Sequence, residues 1–154
     1  MATPPNLSRL SNPVAVRNYM AYQQEAGRMD LYWAGFRRLA ELEGGIHASP
    51  LDTDFWRALI AGEELLHRKH GKRVLLARTR QKIGRAGILQ TVEDLVLKKT
   101  PSEGFALLVG GGLWDLTAEA LAIKHKEQFS ETVVDAARKR LQAAGVVVPG
   151  PTTP

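Results

Sequence analysis

Residues 29–45 read MDLYWAGFRRLAELEGG, and this stretch decides the fold class. Met29, Tyr32, Phe36 and Leu39 step by three and four residues. On a helix of 3.6 residues per turn they form one apolar stripe, while Arg28, Asp30, Arg37, Arg38 and Glu41 lie off it. A half-buried strand would alternate with a period of two, and no convincing run of that kind occurs in the chain. Gly44 and Gly45 close the pattern, as left-handed cap residues do.

Toward the N-terminus, Asn12 followed by Pro13 reads as an N-cap with proline at the first helical position, where its missing N–H costs nothing. The pattern predicts one helix from Pro13 to about Glu43, with Gly27 as a weak point. Toward the C-terminus, Ser49-Pro50 repeats the start signal. Phe55, Leu59, Gly62 and Leu66 make the next stripe, flanked by Trp56 and Ile60, and Gly71 ends or interrupts it. Lys72 to Ile83 is predicted helical, ending near Gly84 or Gly87. A short helix follows from Ile88 to Lys99, with Ile88, Val92 and Leu95 on one side.

Thr100-Pro101-Ser102-Glu103 reads as a capping box, with threonine as N-cap, proline at N1 and glutamate at N3. The helix it opens holds Phe105, Leu108 and Val109 and then meets Gly110-Gly111-Gly112. Each glycine in a helix interior costs roughly 0.8–1.0 kcal/mol relative to alanine. Either the helix breaks there or another backbone packs closely against it. A further helical stretch runs from Leu113 to about His125 through Leu116, Ala120 and Ile123. Ser130 caps a last helix, with a seam of Val134, Ala137, Leu141 and Ala144, and Gly145 ends it.

The expectation is an all-α protein with a single domain of six or seven helices, in an irregular bundle or orthogonal array. The 154 residues suit one domain, and 44% hydrophobic with 24% charged residues is ordinary for a globular chain. The domain spans residues 13–145. Residues 1–12 read as a flexible arm and 146–154 (VVVPGPTTP) as a proline-rich tail able to dock its valines.

Composition removes several function classes. There is no cysteine, so disulfides, thiolate zinc sites and a cysteine nucleophile are excluded, and a reducing cytoplasm is the expected location. No apolar run approaches the ~18–20 residues of a membrane span, so no membrane partner is expected. The N-terminus also lacks the apolar stretch of a signal peptide.

The net charge is +5, and its location carries the functional reading. Residues 67–85 read HRKHGKRVLLARTRQKIGR and contain Arg68, Lys69, Lys72, Arg73, Arg78, Arg80, Lys82 and Arg85 with no acidic residue. Eight positive charges against a net of +5 leave −3 for the rest of the chain, so one segment carries the whole excess. On a helix Arg78, Lys82 and Arg85 share a face at i, i+4 and i+7. Like charges so spaced cost an isolated helix a few tenths of a kcal/mol, which an external anion would remove. Phosphates along a nucleic-acid backbone match such a stripe, and Thr79 and Gln81 could add neutral hydrogen bonds. The competing reading is a solvated face paired internally with Glu63, Glu64, Glu93, Asp94 and Glu103. Gly84, Gly87 and the helix after them give a helix–turn–helix outline, a weak signal that any two helices around a glycine would produce. No aromatic lies between Gly62 and Phe105, unlike the interleaved pattern of single-strand readers.

Other constellations carry less. Glu64 and His67 have the Glu-x-x-His spacing of carboxylate-bridged metal sites, but no second such pair exists and Arg68 and Lys69 flank it, so no metal or other cofactor is expected. Gly110-Gly111-Gly112 follows no strand and precedes no Gly-Lys-Ser/Thr, so it is not a phosphate loop. Trp33, Trp56 and Trp114 read as core. Asp115 and Glu119, one turn apart, read as a solvent-facing pair with no acid–base role. No catalytic constellation appears. The expectation is therefore a non-enzymatic helical protein that contacts nucleic-acid phosphates, acting alone or as a small subunit of a nucleoprotein complex. The alternative is an adaptor, inhibitor or assembly factor that offers the same basic face to an acidic protein, with the residue 134–144 seam meeting a partner helix.

Overall fold

Local capping starts five of the seven α-helices that a computed structural model gives for residues 6–148, the residues described here. Asn12 accepts from the Val14 N–H at the head of α1 (Pro13–Glu25), and Ser49 from Asp52 N–H at the head of α3 (Pro50–His70). Ser102, Thr117 and Ser130 do the same for α5 (Glu103–Gly110), α6 (Ala118–Lys124) and α7 (Glu131–Ala143). The other two, α2 (Met29–Gly44) and α4 (Ala77–Leu97), have no side-chain cap. Among the described residues there is no strand, and the fold is all-α, with seven α-helices, within the six or seven that the periodicity predicts. No helix is long and apolar enough to cross a membrane.

The first predicted helix is in fact two. Gly27 takes φ +77°, in the left-handed region that favours glycine, and the chain folds α2 back onto α1. The two helices touch at Gly35, where an added Cβ would stand 2.7 Å from Met20 Cγ and 3.1 Å from Tyr19 Cδ1. Val16, Met20, Tyr32, Phe36 and Leu39 form a core there, completed by Ala61 and Leu65 of α3 and by Leu108 and Leu113. Met29, at the start of the predicted stripe, is 41% exposed.

The N-terminal half of α3 carries a second core, in which Leu51 and Phe55 meet Ile88, Val92 and Val96 of α4, Leu121 and Ala122 of α6, and Val133 and Ala137 of α7. The α7 seam keeps two of its four predicted members, Ala137 and Leu141, and takes Val133 in place of Val134. Val133, Ala137 and Leu141 are buried, Val134 is half-buried and Ala144 is an exposed C-cap. That seam is consumed inside the fold and offers nothing to a partner helix.

Three other boundaries differ from expectation. The cap of α5 is Ser102, not Thr100, because the hydroxyl accepts the Phe105 N–H at 3.1 Å and the helix begins at Glu103. The triple glycine ends α5, with Gly112 at φ +74°, and a side chain rather than a backbone approaches it: a Cβ on Gly111 would meet Trp33 Cη2 at 3.0 Å. The stretch after it is not one helix but a 3₁₀ turn at Trp114–Leu116 followed by α6, which starts afresh from the Thr117 cap.

The ends are tied in where they are described. Leu7–Arg9 form a 3₁₀ turn, Leu10 packs on the first core, and Arg38 donates to the carbonyls of Ser8 and Leu10. Val146 and Val148 pack against a third cluster of Phe105, Ala120 and Leu141, while Val147 is 90% exposed. The remainder of the predicted arm and tail, residues 1–5 and 149–154, lies outside the described residues.

Candidate nucleic-acid interface

The basic segment straddles a bend. α3 ends at Gly71, left-handed at φ 70° and ψ 14°, and residues 72–76 are not helical. The helix predicted from Lys72 therefore begins only at Ala77, with no Ser, Thr, Asp or Asn to cap it. Glu63, about two turns back from the end of α3, supplies what the local sequence lacks. Its Oε2 accepts the Leu76 N–H at 2.8 Å and Arg80 Nε at 2.7 Å, and its Oε1 accepts Arg80 Nη2 at 2.6 Å. A carboxylate at the start of a helix is also favoured by the helix dipole. Glu63 is 6% exposed, and its bidentate grip raises the Arg80 guanidinium above its ordinary pKa.

Gly87 then bends α4. Its φ of 87° and ψ of 166° are not helical, so residues 77–86 and 88–97 are two arms about one residue. Thr91 Oγ1 donates to the Gly87 carbonyl at 2.8 Å and holds the second arm's first turn. A single hinge residue is not the three- to four-residue turn of a helix–turn–helix, so that outline does not carry over.

The eight basic residues divide into two sets of four. Arg68 reaches Glu64 at 3.4 Å and lies over the Tyr32 ring, 5.3 Å from its centroid. Lys69 reaches Glu103 at 3.6 Å, Arg80 is held by Glu63, and Lys82 pairs with Asp94 across the two arms of α4. The Glu103 carboxyl is held below its usual range, chiefly by the hydrogen bond from His70 at 2.5 Å and also by the charge of Lys69. Lys72, Arg73, Arg78 and Arg85 are exposed and make no ion pair among the described residues. Of the acidic residues expected to pair internally, Glu63, Glu64, Asp94 and Glu103 do so, and Glu93 makes no such pair.

The bend also collects residues that sequence spacing did not nominate. Lys98, at the end of the second arm, lines a cleft of about 300 Å³ with Arg78, Thr79, Lys82, Thr91 and Asp94. Lys98 is sixteen residues beyond Lys82, and only the Gly87 bend makes them neighbours. Trp56, read as core, is half-buried: Arg80 lies 5.6 Å above its ring and His47 stacks on it at 5.4 Å and 20°. An aromatic therefore reaches the basic arm from α3, although none lies within the segment.

The remaining candidates are used structurally. Glu64 takes Arg17 at 2.7 Å as well as Arg68, and among the described residues no three histidine or acidic side chains converge to hold a metal ion. Asp115 is exposed and paired with Arg37 at 2.6 Å. Glu119 corrects the expectation of a solvent-facing pair, being 4% exposed and bonded to Arg140 Nη1 at 3.0 Å. Arg140 also donates to the carbonyls of Leu95 and Lys98 and so fastens the end of α4 to α7. Comparisons with protein-family models, with curated proteins and with solved structures find no match for this chain.

Proposed function

We propose that this is a non-enzymatic, nucleic-acid-binding helical protein that grips phosphates with Lys72, Arg73, Arg78 and Arg85, alone or as a small subunit of a nucleoprotein complex. The observation that carries the reading is the division of the basic segment. Four of its cations are spent on internal acids, and the other four stay exposed at the bend and along the first arm of α4. Arg78 and Arg85 are seven residues apart, or about 10.5 Å along a helix, close to three axial phosphate steps of ~3.4 Å on one strand. Lys98 extends the same surface across the cleft.

The test is a salt titration of binding to duplex and single-stranded oligonucleotides, for the native chain and for Arg78→Glu/Arg85→Glu. Four phosphate contacts give a slope of about −3.6 in log K against log salt on duplex DNA, and losing two brings it to about −1.8 or weaker. These two positions make no ion pair among the described residues, so the double variant keeps its fold. Unchanged binding in a folded double variant overturns the proposal, as does an absence of binding at low salt.

A second reading, a protein-interaction module, is favoured by one observation. Leu89 and Leu97, eight residues apart on the second arm of α4, are 43% and 46% exposed beside the basic surface. A stable complex that survives nuclease and dissociates on Leu89→Glu would select it.

A further inference from the structure

A cavity of about 230 Å³ lies between the second half of α2, the first half of α3, the 3₁₀ turn at Trp114–Leu116 and α6. Arg57 of α3 lines it and is half-buried. Its Nε is the one buried side-chain nitrogen or oxygen among the described residues with no hydrogen-bond partner.

The acids around Arg57 are already engaged. Asp115 takes two hydrogen bonds from Arg37, at 2.6 and 2.9 Å, and Glu41 takes one from Arg38 at 3.0 Å. Asp54, three residues before Arg57 on α3, is held by Lys124 at 2.9 Å and by His125 at 2.8 Å. Arg57 itself makes no ion pair among the described residues. The pairs Arg37–Asp115, Arg38–Glu41 and Lys124–Asp54 each cancel, so Arg57 leaves the cavity one positive charge without a counter-charge. The root of its side chain is also fixed. A Cβ on Gly44 would stand 3.0 Å from Arg57 N and 3.2 Å from Arg57 Cγ, so the end of α2 presses on it.

A half-buried guanidinium short of an acceptor and of a counter-charge is costly, and an anion in the cavity supplies both. A single negative charge balances the single positive one. A second would face Asp54, Asp115 and Glu41 with nothing to offset it. The two oxygens of a carboxylate match the planar N–H fork of arginine. Ala40, Leu116 and Leu121 give the same cavity an apolar wall, which suits an aliphatic body of a few carbons.

We infer that this cavity binds a small monocarboxylate, with its carboxylate on the Arg57 guanidinium and a short aliphatic body against Leu116 and Leu121. The site does not rest on the phosphate reading. Arg57 lies fourteen residues before Gly71, about 21 Å along α3 from the basic bend.

The probes are butyrate, its neutral isostere butyramide, and inorganic phosphate. Each is titrated against the full chain at a constant salt of about 0.15 M, which screens the exposed cations, and followed by NMR shifts and intermolecular NOEs. Butyrate binds saturably, with NOEs from its methyl group to Leu116 and Leu121. Butyramide and phosphate bind at least about tenfold more weakly, the loss expected for a hydrogen bond to a charged group. Arg57→Gln abolishes butyrate binding with helical circular dichroism retained, and Arg78→Glu/Arg85→Glu leaves it unchanged. If Arg57→Gln does not fold, the ranking of the three probes and the NOE contacts in the native chain decide alone. Equal affinity for butyrate and butyramide, phosphate binding as tight as butyrate, NOEs to the basic bend, binding retained in folded Arg57→Gln, or no binding by any probe overturns the inference.

Discussion

Glu63 takes three hydrogen bonds from a residue thirteen and a residue seventeen positions ahead, and no local rule of helix capping would assign it that part. Removing it leaves the Leu76 N–H and the inner face of Arg80 without an acceptor at once. Glu63→Ala is expected to destabilise the fold by about 2–3 kcal/mol, read as a fall in the urea midpoint. Arg80→Ala on the same measurement falls less, because Arg80 is the more exposed partner. Asp54 makes a different prediction. Burial alone would raise its carboxyl, but the hydrogen bonds from Lys124 at 2.9 Å and His125 at 2.8 Å outweigh burial and hold it below the ordinary value. A depressed carboxyl stabilises above its unfolded pKa, about 3.9, and that contribution is lost as pH falls through the folded value. Asp54→Asn should therefore melt below the native chain at pH 7, by about 1 kcal/mol, and the gap should close below about pH 4. A gap of constant size across that range would remove the charge as its cause.

At the scale of elements, α4 is the helix in which backbone freedom matters most. The conformation of Gly87 is one that residues with a Cβ rarely adopt, whereas Gly84, three residues earlier, is helical with open space around it. Gly87→Ala is expected to cost about 1–3 kcal/mol, and Gly84→Ala to stabilise by up to about 1 kcal/mol, both from thermal unfolding. Equal effects at the two sites would mean that Gly87 is not the hinge. The same elements show how far periodicity reaches. The stripes on α2 and α3 were legible because 3.6-residue spacing is a property of the helix itself, and Phe55, Leu59, Gly62 and Leu66 are all buried. The bend at 72–76 was not, because Glu63 creates the helix start from a distance. Nor was the break at Gly27 more than a weak point, since glycine in a helix and glycine in a reversal look alike until α1 has a surface to fold against.

At the scale of the molecule, α3 contributes to both of the larger apolar cores, and the eight candidate cations run from its last turn through the bend into the first arm of α4. The basic segment itself could be read from charge alone. Its division into bound and unbound cations could not beyond the Arg68–Glu64 pair, four residues apart on α3, because the other acids concerned, Glu63, Asp94 and Glu103, lie on α3, α4 and α5 and meet their partners only after folding. The same holds for Lys98 and Trp56, which the bend and the α3–α4 contact deliver. The first member of the α7 seam was placed one residue out because both Val133 and Val134 satisfy a helical repeat with Ala137 and Leu141, and only contact with α4 and α6 separates them.

Arg140 fastens the last turn of the second arm of α4, through the carbonyls of Leu95 and Lys98, to a carboxylate on α6. This gives the basic surface a birth order. A ribosome adding about 5–20 residues per second needs roughly 3–11 s to travel from Arg85 to Arg140. Throughout that interval the nascent chain already carries its cations but not the fastening that holds Lys98 beside them, so the surface exists as a list of charges before it exists as a shape.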